Sequence, residues 1–173
     1  TPPKLAYNYF PGCSLERNAE AYQQSTLAAT GKLGITFTEI DDWNCCGATE
    51  YISLHMLASY SLVARNLAQA AKSGGGGDLV APCSACYLNL KKTDKYMRVD
   101  AKLAERVNVA LAAGGLGYKP GSVHVRHLLD VIMEDVGCSG LRAQVTRPLQ
   151  GLRVAPYYGC LISRPGLRVE EHN

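Results

Sequence analysis

The residues best suited to chemistry in this chain are thiols. Cys13 stands alone, Cys45 and Cys46 are adjacent, and Cys83 and Cys86 form a Cys-x-x-Cys. A buried thiol that only packs behaves as a small apolar group and needs no such company. A redox dithiol accounts for Cys-x-x-Cys but leaves Cys13, Cys45 and Cys46 without a role. A zinc ion takes four thiolates in a tetrahedron with sulfur at ~2.3 Å. Adjacent cysteines point in different directions, so both reaching one small ion is awkward, and one would stay free. An iron–sulfur cluster spreads several irons in space and accepts neighbouring thiolates at different corners. A regular four-iron cube needs only four of these five thiols. The surplus thiol would bridge two irons, remain reactive or open the cluster, which suggests bond chemistry at sulfur as well as electron transfer. Zinc held by four of the five is the competing reading.

The elements that must position these thiols follow from periodicity and punctuation. Residues 5–10 read as a short buried strand running into Pro11, Gly12 and Cys13. Residues 18–30 are predicted helical, beginning at Asn18 and closed by Gly31 and Gly34. Residues 35–40 alternate apolar and polar as a strand does, and the loop of Cys45 and Cys46 closes at Gly47. Over residues 50–72, Ile52, Met56, Tyr60, Val63, Ala64, Leu67 and Ala71 keep to one helical face, which predicts a continuous helix containing His55. Residues 78–81 form a third strand, ended by Pro82 before Cys83. Further helices are predicted over residues 84–96, 101–113 and 127–136. Alternating strands and helices give an α/β fold, a Rossmann-like parallel sheet flanked by helices with right-handed crossovers. Ligands in such folds collect at the carboxyl ends of the strands, so the three cysteine loops are expected to meet at one edge of the sheet.

Composition narrows the class. Apolar residues make up 47% and charged residues 19%, as in an ordinary globular chain. A formal charge of +3 is too small and too scattered to argue for nucleic acid. Lys91, Lys92, Lys95 and Arg98 read as a solvated helix face. The glycines at 74–77 follow a helix and lack a Gly-Lys-Ser/Thr ending, so they read as a flexible break and not as a phosphate loop. No apolar run reaches the ~20 residues of a membrane span, and no charged-then-apolar leader opens the chain. The odd number of cysteines, seven in all, argues against a disulfide framework and for thiols kept in a reducing cytoplasm.

A second signal comes from within the chain. Residues 152–160 repeat the pattern of residues 5–13: a short strand, an aromatic, Gly, then Cys. The reading is one domain over residues 1–150 and the opening of a second over 151–173, with Cys160 where the first copy has Cys13.

Cys13, the pair Cys45–Cys46 followed by Gly47, and Cys83-x-x-Cys86 resemble the cysteine-rich CCG domain, and most closely the heterodisulfide reductase B subunit and its bacterial relatives, which carry two such domains. The resemblance implies a non-cubane [4Fe-4S] cluster held by Cys13, Cys45, Cys46, Cys83 and Cys86, with Cys160 the first ligand of a second cluster. Its implied activity is disulfide cleavage in two one-electron steps, with Cys46 and Cys13 as catalytic thiols. The implied partners are a cubane iron–sulfur subunit, a flavin-containing subunit and a thiol or disulfide substrate. Some relatives carry zinc in one copy. The methanogen enzymes keep a histidine after the second copy's first cysteine, and Leu161 stands there here. The chain therefore looks closer to the bacterial and sulfur-oxidiser versions, or to the cysteine-rich subunit of some succinate:quinone reductases, where it would relay electrons or serve as a zinc-bearing structural subunit.

Around the thiols, Trp43 is expected to pack in the core or shield the site from water. Cys138 is expected outside the ligand set. His55, His124 and His127 are read mainly as packed or surface residues. Helix starts at Asn18 and Ser84 would turn their partial positive charge towards thiolates.

Overall fold

The computed structural model describes residues 5–48, 51–73 and 77–157. Four strands, β1 (Leu5–Tyr9), β2 (Ile35–Glu39), β3 (Asp78–Ala81) and β4 (His124–His127), form a sheet in the order β2-β1-β3-β4. All three pairings are parallel. Helices fill every crossover. The first holds α1 (Cys13–Arg17) and α2 (Glu20–Lys32), the second α3 (Tyr51–Leu54) and α4 (Met56–Lys72), and the third α5 (Ser84–Val99) and α6 (Ala101–Ala112). After β4 come α7 (Leu128–Val131), a π-helical turn (Ile132–Val136) and α8 (Gly137–Gln144). The expected α/β parallel sheet flanked by helices is what the chain forms.

Alternation along β3 divides the core between the two faces of the sheet. Leu79 and Ala81 join Phe10, Leu67, Leu90 and Val107 under α4, α5 and α6, whereas Val80 packs with Tyr7, Ile35, Leu128 and Val131 on the other side. β4 shows only weakly in the sequence because a buried arginine interrupts it. Arg126 bonds Asp135 at 2.6 and 3.0 Å, Glu134 at 2.7 Å and Asp78 at 3.2 Å, and Tyr7 also donates to Asp135. This network draws the acidic residues of the π-helical turn back onto the sheet.

Four local expectations are corrected. The helix predicted over residues 18–30 is α2 and starts at Glu20, not Asn18, and an unpredicted short helix, α1, precedes it because Gly12, at φ 77°, turns the chain so that helix begins at Cys13. Asn18 then caps the end of α1, and Asn18 and Ala19 both donate to the Ser14 carbonyl. The helix predicted over 50–72 breaks at His55, whose extended backbone and Nδ1, accepting from the Ala58 amide at 3.1 Å, make it the N-cap of α4. A ring nitrogen can serve as a cap acceptor, and periodicity of apolar residues does not register it. The element predicted over 127–136 starts as strand, since His127 still pairs with Ala81. Finally, the cations of α5 are not merely solvated: Lys91 donates to the Tyr87 hydroxyl, Lys92 and Lys95 lie over the Tyr96 ring, and Arg98 pairs with Asp94.

Candidate metal centre

Strand order reverses between β1 and β3, and the loops leaving the carboxyl ends of these two strands carry Cys13 and the Cys83–Cys86 turn. Such a switch point opens a crevice because consecutive crossovers leave in opposite directions. The Phe10 amide donates to the Val80 carbonyl at 2.9 Å and keeps the two exits side by side. A Cβ placed on Gly12 would come within 2.8 Å of Cys86 Sγ, so only glycine allows the first loop so close to the second. Cys83 is the N-cap residue of α5, and Cys86 lies in its first turn with its side chain buried. Across the loop, the Tyr22 hydroxyl on α2 donates to the Pro82 carbonyl at 3.3 Å.

The third loop follows β2 and has no helix or strand of its own through residues 40–48. Its backbone takes left-handed conformations at Asp42, Gly47 and Ala48. Its polar groups are met by side chains, as buried backbone requires. The Asn66 side chain, fully buried on α4, accepts from the Asn44 amide at 2.9 Å and donates to the Asn44 carbonyl at 2.8 Å. Asn44 donates to the Leu62 carbonyl at 3.1 Å. Arg65 bonds the side chain and carbonyl of Asp42 and reaches Asn44 Oδ1 at 3.2 Å. From α5, Asn89 donates to the carbonyls of Cys46, at 3.1 Å, and Ala48. The adjacent cysteines are therefore held by two helices at once. Replacing Asn66 with alanine orphans both polar groups of Asn44. It is expected to cost about 1–3 kcal/mol, read as a lower Tm, and N66D should not spare it, because its second carboxylate oxygen would face the Asn44 carbonyl in a fully buried site.

The sulfurs converge. Cys13 Sγ lies 3.2 Å from Cys45 Sγ, and Cys46 Sγ lies 3.4 Å from Cys86 Sγ. Cys83 adjoins Cys86. Both distances are well beyond a disulfide bond of ~2.05 Å, and all five are free thiols. Cys46 and Cys86 are buried, Cys83 is half-buried, and Cys13 and Cys45 are exposed, so the array runs from the core to the surface.

Their acidities diverge. The neighbouring Cys86 thiol, against the opposing effect of burial, brings Cys46 down to about 7 and Cys83 down to about 6. The amides of Cys86 and Ala85 at the start of α5 also favour the Cys83 thiolate. Cys86 is pushed up by its bonds to Cys46 and Cys83, then by burial. The Cys45 thiol, then burial, raises Cys13 to about 11. Without metal, alkylation of Cys83 should rise with pH through about 6 and level off above it. Mass mapping of iodoacetamide adducts checks this, and a rise centred at the ordinary thiol value of about 8.5 would contradict it.

A group held here would meet only sulfur donors from three loops, a soft set suited to zinc or iron–sulfur. Among the described residues no three His, Cys, Asp or Glu side chains are set around one ion-sized point. The sulfurs lie in two close groupings, Cys13 with Cys45 and Cys46 with Cys86 and Cys83.

The remaining expected residues separate. Cys160 lies outside the described residues, and residues 152–157 carry no helix or strand. Cys138 is exposed on α8. His124 begins β4 and pairs with Asp78 at 3.2 Å, at the sheet end opposite the cysteines. Trp43 packs edge-on to Phe10 with centroids 5.3 Å apart and donates to Glu39. The sequence reading named Gly12 only as the end of a strand, without its approach to Cys86, and missed Asn66 and Asn89. The available signal was an asparagine within an apolar helical stretch, between Arg65 and Leu67.

Comparison with known proteins adds family context. The cysteine-rich CCG domain family matches residues 7–91. The 8-methylmenaquinol:fumarate reductase membrane anchor subunit of Wolinella succinogenes is 35% identical over 92% of this chain and 54% of its own length. The B subunit of the ferredoxin/F(420)H(2)-dependent CoB-CoM heterodisulfide reductase of Methanosarcina acetivorans is 26% identical over 90% and 51%. A protein of Archaeoglobus profundus named for its likeness to the heterodisulfide reductase B subunit is 29% identical over 90% and 52%. The chain spans about half the length of these relatives. A crystal structure of a hypothetical protein from Helicobacter pylori superposes with TM-score 0.63 at 20% identity, covering 78% of this chain and 26% of that one, and supports the fold.

Proposed function

We propose, on the premise that residues 7–91 are a CCG cysteine-rich domain, that Cys13, Cys45, Cys46, Cys83 and Cys86 together hold a non-cubane [4Fe-4S] cluster. In this reading the chain is the iron–sulfur subunit of a heterodisulfide reductase-like complex and carries out thiol/disulfide redox chemistry. The observation that carries it is the convergence of five free thiols from three loops at the switch point of the sheet. When bound, such a cluster supplies one-electron steps and iron sites for sulfur.

The chain's own residues do the rest. Cys13 and Cys45 form the exposed side, where a substrate sulfur approaches, and Cys46 anchors the buried side through its contact with Cys86. Asn66 and Asn89 fix the adjacent pair so that neither thiol swings away. The amino terminus of α5 favours negative charge at Cys83. Phe10 and Trp43 limit water on the inner side, which raises the strength of every electrostatic contact there. Residues 1–150 form the first domain, and Cys160 opens a second. Its partners in the reading are a cubane iron–sulfur subunit and a flavin-containing subunit, in a cytoplasmic setting. Leu161 disfavours the methanogen heterodisulfide as substrate.

Electron relay without disulfide cleavage is a second reading, favoured by the relative named as a fumarate reductase membrane anchor subunit. Among the described residues no helix is long and apolar enough to cross a membrane. Electron paramagnetic resonance of the oxidised protein, with and without added thiols, separates the two. A signal perturbed by a thiol supports chemistry at sulfur, and a signal indifferent to every thiol tried supports relay.

A further inference from the structure

Among the described residues, two other than glycine have a left-handed backbone, and they bracket the adjacent cysteines: Asp42 at φ 50° and Ala48 at φ 48°. An aspartate tolerates that region because its side chain bonds locally, and Asp42 is held by Arg65 besides. Alanine has no such means, and its Cβ penalises the conformation. Packing does not impose it, since Ala48 is exposed. What holds it is a hydrogen bond. Asn89, on α5, donates to the Ala48 carbonyl and, at 3.1 Å, to the Cys46 carbonyl. One side-chain amide therefore ties both ends of the Cys46-Gly47-Ala48 turn.

The turn aims its amides at sulfur. Gly47, at φ 75°, donates to Cys45 Sγ at 3.4 Å. The Ala48 amide bonds Cys46 Sγ and, after the larger effect of the Cys86 thiol, favours its thiolate. Successive backbone amides turned to one side make a concavity suited to negative charge. Asn89 also lies close enough to act on Cys46 Sγ, but its two amide protons are engaged by the two carbonyls. Its effect on the sulfur then passes through the turn.

We propose that Ala48 is a positioning residue: held left-handed by Asn89, it turns its own amide onto the Cys46 sulfur, beside the Gly47 amide on Cys45. Each thiolate of the adjacent pair then keeps one backbone donor. This role rests on the cluster reading above. Hydrogen bonds to ligating sulfur favour the reduced, more negative state and so raise the reduction potential. Neither the thiol spacing nor the family match assigns a role to Ala48 or Asn89.

Variants of the full-length, loaded protein separate the parts. N89A frees the Ala48 carbonyl, lets the alanine leave the left-handed region, and should lower the midpoint potential. Glycine enters that region without penalty. A48G should therefore stay near wild type, and the double variant N89A/A48G should recover most of the N89A loss. A48V keeps Asn89 but resists positive φ more than alanine does, and should lower the potential as N89A does. A double variant as low as N89A would show that Asn89 acts on the sulfur directly, and overturns the proposal. So does an A48V potential equal to wild type. Proton NMR of metal-free wild-type protein reads the turn without any cluster and without a variant's folding. A strong cross-peak between the amide and α protons of Ala48 marks positive φ, and slow exchange of this exposed residue's amide marks its bond. A weak cross-peak with fast exchange overturns the role. Wild-type protein without acid-labile sulfide overturns the cluster reading and this role with it, whereas loaded protein whose potential ignores Asn89 and Ala48 overturns only the role.

Discussion

Replacing Cys46 with serine is expected to leave the chain folded and to empty its centre. Cys46 is 4% exposed, its thiol lies 3.4 Å from Cys86 Sγ, and its carbonyl is held by Asn89. Serine is nearly isosteric, and Asn89 bonds the backbone, which the substitution does not alter. The fold therefore loses at most the ~1–3 kcal/mol of a poorly paired buried hydroxyl. The site loses more, because an alcohol is a far weaker soft-metal ligand than a thiolate. Changes to groups that only support a ligand already weaken metal binding by about 10–100-fold, and loss of the ligand itself should do at least as much. Iron and sulfide per chain, with the visible absorption spectrum, give the readout. Wild-type content and spectrum in C46S would show that four thiols suffice and that Cys46 is a spectator.

The second large effect is expected at Gly12. Both Gly12 and Gly34 have φ 77°, but a Cβ on Gly34 would meet nothing within 4 Å, whereas one on Gly12 would meet Cys86 Sγ at 2.8 Å. Alanine at either position carries a left-handed backbone strain of order 1–3 kcal/mol. Only G12A adds overpacking, worth about as much again, and the sulfur it displaces is a proposed ligand. G34A should lower Tm and retain the centre, while G12A should lower Tm further and lose iron. Denaturant unfolding with metal analysis on both variants checks this. Equal losses in the two would show that Gly12 serves the turn alone.

The sheet and its cysteine loops were readable because the sequence punctuates them plainly. Pro11 and Gly12 follow β1, Pro82 follows β3, and Gly47 closes the adjacent pair. The apolar face of α4 was also legible, since Val63, Ala64 and Leu67 keep a helical period. What escaped depends on partners far away in sequence. Asn66 looks like any polar residue in a helix until the chain brings Asn44 to it, 22 positions earlier. His55 reads as helical because its neighbours are apolar, yet its ring captures the Ala58 amide and starts a new helix there. β4 was half-hidden because Arg126 interrupts its apolar pattern, and its acidic partners lie beyond the strand. His127 gave no sign of facing Ser84, 43 positions away across β3 and β4.

The most direct measurement is iron, zinc and acid-labile sulfide in anaerobically prepared full-length protein, beside a variant in which both Cys83 and Cys86 are serine. Five thiols holding a [4Fe-4S] centre predict about four irons and comparable sulfide that disappear in the double variant, with no zinc lost. Zinc lost from the double variant, with no change in iron or sulfide, would contradict a cluster at this site.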